Sequence, residues 1–148
     1  MTVTELATQR IGFLGAGAMG EALAGGLLAA GVPRAQVRAA DPDAARRDAV
    51  SRALGIATGD DNAAVVRESD VVVLAVKPAL VPRVLADLRA ALGDALAKPL
   101  WLSIAAGVSI ARIESELPRG ARVVRAMPNT PALVRAGDSG GPVVNGAG

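Results

Sequence analysis

Gly15-Ala16-Gly17-Ala18-Met19-Gly20 spaces three glycines as G-x-G-x-x-G. Bare main-chain amides in such a turn can clasp a diphosphate. Gly15 lets the chain leave a strand sharply. Gly17 removes a side chain so that phosphate can approach the backbone, and Gly20 lets the next helix pack closely on the strand. That helix aims free N–H groups and its positive dipole end at the anion. Asp41 follows Gly20 at the distance where an acidic residue accepts hydrogen bonds from an adenosine ribose. This favours NAD, because a 2′-phosphate would meet like charge. Arg46 and Arg47 are close enough in sequence to offset that charge, since arginine grips phosphate well. The alternatives stay open: a turn or helix-capping role for Asp41 beside Pro42, and an exposed helix face for the two arginines.

Other chemistries are excluded by composition. The 148 residues include no histidine and no cysteine. There is then no Ser-His-Asp triad, no imidazole or thiolate metal site, no cysteine nucleophile and no disulfide framework. No metal is expected, and no side chain stands out as a catalytic group. Phe13 and Trp101 are the only aromatic residues, which argues against base-stacking platforms for nucleic acid. The formal net charge is +2, arginine supplies most of the basic residues, and Arg46-Arg47 is the longest basic run. That pattern reads as a solvated surface rather than a nucleic-acid face. Gly137-Asp138-Ser139-Gly140-Gly141-Pro142 mimics the surroundings of a protease serine, but the chain lacks the histidine base such a serine needs.

The elements that must position the glycine turn alternate in type. Strands are expected at Arg10–Leu14, Val37–Ala40, Ile56–Thr58, Val71–Val76, Leu100–Ala105 and Arg122–Ala126. Between them lie helices at Met19–Ala30, Ala44–Leu54, from Asp60-Asp61-Asn62 to Glu68, at Leu80–Leu96 and at Ser109–Leu117. This rhythm predicts an α/β fold: a doubly wound parallel sheet, Rossmann-like, in three αβα layers. Such sheets bind ligands beyond the carboxyl ends of their strands.

With these residues in place, the sequence resembles the pyrroline-5-carboxylate reductases. Four segments carry the resemblance: Ile11–Leu23, Ser69–Pro78, Ser103–Val108 and Val123–Val134, in the family's order and with similar spacing. The run Arg125-Ala126-Met127-Pro128-Asn129-Thr130-Pro131 is the most specific. The resemblance implies reduction of the C=N bond of L-1-pyrroline-5-carboxylate to L-proline, the last step of proline biosynthesis, with NADPH or NADH as hydride donor. It implies that Gly15, Ala16, Gly17, Ala18, Met19 and Gly20 hold the pyrophosphate and that Asn62 lies near the adenosine end. It implies that Ala75, Val76, Lys77 and Pro78 line the cofactor, and that Ala105, Ala106 and Gly107 lie near the nicotinamide. Read from the residues alone, Lys77 equally suits a solvent-facing lysine and Asn62 a helix cap. Asn129 and Thr130 fall in a stiff, proline-bounded loop, where Asn129 suits the nicotinamide, the substrate or a bond to its own backbone.

Family members continue into an all-helical domain that forms a dimer and supplies most substrate contacts; this sequence departs from their pattern at Asp138. Residues 1–134 are expected to form the NAD(P)-binding domain and 135–148 a glycine-rich tail. The expected function is cofactor binding with weak or no turnover, in the cytoplasm, with neither nucleic acid nor membrane as partner. Self-association through an apolar face left bare is also expected. The competing readings are a non-catalytic NAD(P)-binding module and another reductase of the same nucleotide fold, acting on a small acid or a deazaflavin.

Overall fold

A computed structural model describes residues 3–126. Six parallel strands form one sheet: β1 (Ile11–Leu14), β2 (Val37–Ala40), β3 (Ala57–Gly59), β4 (Val71–Leu74), β5 (Leu100–Ser103) and β6 (Arg122–Arg125). Their spatial order is β3-β2-β1-β4-β5-β6. The order therefore reverses between β1 and β4, which pair directly with Phe13 opposite Val73. This is the doubly wound Rossmann-like architecture expected from the alternating pattern.

Helices α1 (Val3–Leu6), α2 (Ala18–Ala29), α3 (Ala44–Leu54), α4 (Asn62–Arg67), α5 (Val81–Leu92) and α6 (Ile110–Glu116) complete the fold. Local chemistry fixes their ends. The Asp43 carboxylate accepts from the Ala45 N–H to start α3, and Asp61 does the same for α4 through Ala63. Ser109 caps α6 through the Arg112 N–H. Gly55 ends α3 in the left-handed region at φ 71°.

Each face of the sheet buries its own core. Ile11, Phe13, Val71 and Val73 pack with Ala24 of α2 and Val50 of α3. Leu14, Val72, Leu74 and Trp101 pack on the other face with Val65 of α4, Leu85 and Leu88 of α5, and Ile113 of α6. The four residues of β4 are all buried, which explains its unbroken β-branched sequence. Trp101 is fully buried and satisfies its indole N–H on the Leu96 carbonyl at 2.8 Å.

Three expected elements are corrected. The strand expected through Ala105 ends at Ser103, whose hydroxyl accepts from the Ala105 N–H as the chain leaves the sheet. The strand expected through Val76 ends at Leu74; the Ala75 N–H still donates to the Leu14 carbonyl, and the chain then passes into a short 3-10 turn that begins at Pro78. The helix expected over Leu80–Leu96 runs only over Val81–Leu92. Gly93, at φ 54°, breaks it, and a 3-10 segment Gly93–Ala97 follows. The weakly patterned third strand is present, shifted by one residue to Ala57–Gly59.

Candidate functional site

The glycine turn joins β1 to α2, and its three glycines meet different surroundings. Gly15 adopts φ 102°, and a Cβ there would lie 2.7 Å from the Ala75 backbone. A Cβ on Gly20 would meet the Gly15 carbonyl oxygen at 2.7 Å, so this glycine is what allows α2 to lie against β1. Around Gly17 nothing lies within 4 Å of a built Cβ. That glycine faces open space at the start of a helix.

The amino end of α2 differs from those of α3, α4 and α6. Gly17 holds the N-cap position, and no side chain caps the helix. The first-turn N–H groups of a helix have no acceptor within it. They lie on the rim where Gly15, Ala75 and Ile104 follow β1, β4 and β5.

Asp41 follows β2 and is half-buried. Its Oδ2 accepts from the Ala16 N–H at 2.8 Å, and its Oδ1 accepts from the Asp43 N–H at 2.9 Å. Arg46 donates through Nε and Nη2 to the Ala16 carbonyl, at 3.2 and 2.9 Å. Arg47 donates to the Asp41 main-chain carbonyl at 2.8 Å. The glycine turn is therefore clamped on both sides of Ala16 by residues from the end of β2 and the first turns of α3.

Two adjoining cavities open along this rim. One, of about 350 Å³, is lined by Gly15, Gly17, Asp41, Arg46 and Lys77, with Leu80 on its apolar wall. The other, of about 340 Å³, is lined by Gly17, Met19, Val76, Lys77, Ile104 and Ala106, and also takes in Ala18, Ala75, Pro78 and Ala105. They share Gly17 and the Ala75–Lys77 segment, so together they form one groove straddling the β1/β4 reversal. Met19 and Leu80 are each 48% exposed there, apolar side chains with no core to fill.

The structure thus gathers Gly15, Gly17, Ala18, Met19, Asp41, Ala75, Val76, Lys77, Pro78, Ala105 and Ala106 along one groove. Ala16 contributes backbone groups to its clamp, and Gly20 lies buried behind it. Asn62 lines neither cavity; it is the first residue of α4, after the Asp61 cap. Gly107 also lines neither and makes a turn at φ 76°. Asn129 and Thr130, with the whole Met127–Pro131 run and the glycine-rich tail, lie outside the described residues.

Sequence reasoning did not single out Ser103 or Leu80 for the site. Ser103 is fully buried, and its Oγ accepts from the Ala105 N–H at 3.2 Å, bracing the loop after β5. A serine closing an apolar strand was the available signal. Among the described residues no group of side chains could hold a metal ion, and no helix is long and apolar enough to cross a membrane.

Residues 10–107 match the family model described as NADP oxidoreductase, coenzyme F420-dependent. The chain belongs to this family. Curated relatives of the chain include the pyrroline-5-carboxylate reductase of Methanosarcina acetivorans, 41% identical over 136 residues, covering 91% of the chain and 49% of that relative. The pyrroline-5-carboxylate reductase of Pseudomonas aeruginosa is 47% identical over 135 residues, covering 91% and 48%. Among solved structures, a pyrroline-5-carboxylate reductase from Coxiella burnetii superimposes with a TM-score of 0.78 at 37% identity, covering 87% of this chain and 47% of that one. The Plasmodium falciparum pyrroline carboxylate reductase, solved with NADP bound, gives 0.71 at 29% identity, covering 86% and 45%. These findings support NAD(P) as the cofactor. This family member spans about half the length of the curated relatives it matches.

Proposed function

We propose that the chain binds NAD(P) in the groove at the carboxyl ends of β1, β4 and β5, as the cofactor half of an L-1-pyrroline-5-carboxylate reductase. The observation that carries this reading is the open space at Gly17, set before the uncapped amino end of α2. The residues present fit such a cofactor: a diphosphate would meet the main-chain N–H groups at the start of α2 with no Cβ of Gly17 between. When bound, the reduced nicotinamide supplies a hydride to the C=N bond of the substrate, giving L-proline.

The chain's own residues do the positioning. Asp41 and Arg46 hold the glycine turn in shape before any ligand arrives, and Arg47 braces the Asp41 carbonyl. Ala75–Pro78 and Ile104–Ala106 line the groove beside Gly17, where the nicotinamide half would lie on this reading. The small apolar residues among them offer no side-chain hydrogen bonds that would compete with the cofactor. Asn129 and Thr130 belong next to the substrate on this reading. Orientation of both reactants contributes about 7–11 kcal/mol at best, and the 148 residues supply it for the cofactor. Binding with weak or no turnover is therefore expected of this chain alone.

Calorimetric titration with NADH and NADPH, followed by a steady-state assay with pyrroline-5-carboxylate, tests the proposal. Saturable binding of a nicotinamide nucleotide, lost on Gly17→Val, supports it. Absence of binding rejects it, and turnover at the rate of an ordinary reductase rejects its restriction to cofactor binding.

A further inference from the structure

The sequence left open whether the basic pair after Asp41 offsets a 2′-phosphate or faces solvent. The structure puts both guanidinium groups on the backbone of the site itself. We infer that Asp41 makes this chain select NADH over NADPH, with Arg46 as a clamp on the glycine turn and Arg47 as a brace on the Asp41 backbone, neither of them a phosphate grip. The inference rests on the cofactor reading above.

The Asp41 carboxylate is fixed in place. Each of its oxygens accepts one main-chain N–H, from Ala16 and from Asp43. A carboxylate oxygen can accept more than one hydrogen bond, so each keeps capacity for a donor from the cavity it lines. Ribose hydroxyls are such donors. A 2′-phosphate is not: it carries roughly −1.5 to −2 charges at neutral pH and offers acceptors to an acceptor.

The charges around this cavity do not repair the conflict. Its lining carries two carboxylates, Asp41 and Asp43, against Arg46 and Lys77. Arg46 turns its Nε–Nη2 edge, the edge suited to forking a phosphate, onto the Ala16 carbonyl. Arg47 reaches the Asp41 carbonyl from the other side and does not line the cavity. Withdrawing Arg46 toward a phosphate loosens the glycine turn, and withdrawing Arg47 frees the Asp41 carbonyl. Moving Asp41 aside releases the Ala16 N–H. Each route to NADPH therefore dismantles part of the site.

Titration of the full chain with NADH and with NADPH tests this, in the wild type and in Asp41→Ser and Arg46→Ala. NADH is expected to bind at least about tenfold tighter, the equivalent of about 1.4 kcal/mol. Asp41→Ser removes the charge while keeping a short polar side chain at the end of β2; it should abolish the preference chiefly by tightening NADPH. Arg46→Ala should weaken both nucleotides alike, as loss of a clamp requires. Melting temperatures of both variants report whether the fold survives. NADPH binding as tightly as NADH in the wild type overturns the inference while leaving the cofactor reading standing. So does Arg46→Ala weakening NADPH alone, or an unchanged ratio in a folded Asp41→Ser. Binding of neither nucleotide overturns both.

Discussion

The two ends of the parallel sheet use polar groups in opposite ways. At the amino end, charged side chains answer one another. Arg10 donates to both oxygens of Asp70, through its main chain at 2.8 Å and its guanidinium at 3.1 and 3.3 Å. At the carboxyl end, side chains bind the backbone of the loops, and the helix terminus facing the groove is left without a cap. The amino end also holds a cavity, of about 480 Å³ among Arg10, Asp70, Lys98 and Arg122, larger than either part of the groove taken singly. An arginine and a carboxylate that satisfy one another have little left to offer a ligand, whereas main-chain donors at an uncapped helix end remain available to one.

Substitutions can break or sharpen this contrast. The largest effect is expected for Gly15→Ala, which forces a side chain into the left-handed region and onto the Ala75 backbone. Strain and overpacking together should cost about 4 kcal/mol, read from urea unfolding. Gly17→Val is next and acts on another observable. Its side chain has room in the free protein, so the unfolding midpoint should barely move. Loss of two charge-assisted contacts to the diphosphate should weaken nucleotide binding by roughly 3 kcal/mol, about a hundredfold. The double variant Lys98→Ala, Arg122→Ala, at the opposite end, should leave nucleotide affinity unchanged; a large loss would mean that the two ends are not separate in function. Ser103→Ala removes the acceptor of the Ala105 N–H and should lower stability by about 1 kcal/mol, with a slight loss of affinity.

The smallest effect is expected for Asp70→Asn. The Arg10 guanidinium and main-chain N–H hold the Asp70 carboxyl below its ordinary value of 3.8. A carboxyl with a lowered folded-state pKa stabilises the fold above that ordinary value and loses the contribution as pH falls through the lowered one. The wild type should therefore exceed the variant slightly at neutral pH, and the gap should close in strong acid. The pair is solvent-exposed, which keeps the gap small. Melting curves of both proteins from neutral to acid pH check the sign.

Much of the fold was legible because parallel strands buried on both faces carry an unmistakable pattern. Val71–Leu74 and the run Ile11–Leu14 are apolar at nearly every position, and α3 announces both its ends through Asp43 and Gly55. The errors share one cause: apolar residues continue past the end of an element when the core continues. Ala75 and Val76 still pack against the two core clusters after the ladder ends. Leu96, beyond the break at Gly93, is buried beneath Trp101. Of the candidate site, the glycine spacing and the position of Asp41 were visible because backbone geometry demands particular residues there. The targets of Arg46 and Arg47 were not, since a guanidinium within reach of a phosphate is also within reach of a carbonyl. Asn62 and Gly107 came from resemblance, and neither lines the groove.

The pairing of β1 with β4 also constrains how the protein is made. Ile11 lies beside Val71, and the Arg10–Asp70 bridge spans the same interval of 60 residues. A nascent chain emerging from the ribosome can dock β2 on one side of β1 and then wait. The other side stays unpaired until β4 has been synthesised, so translation speed across residues 41–74 governs how long a strand edge at the centre of the future sheet is open to aggregation.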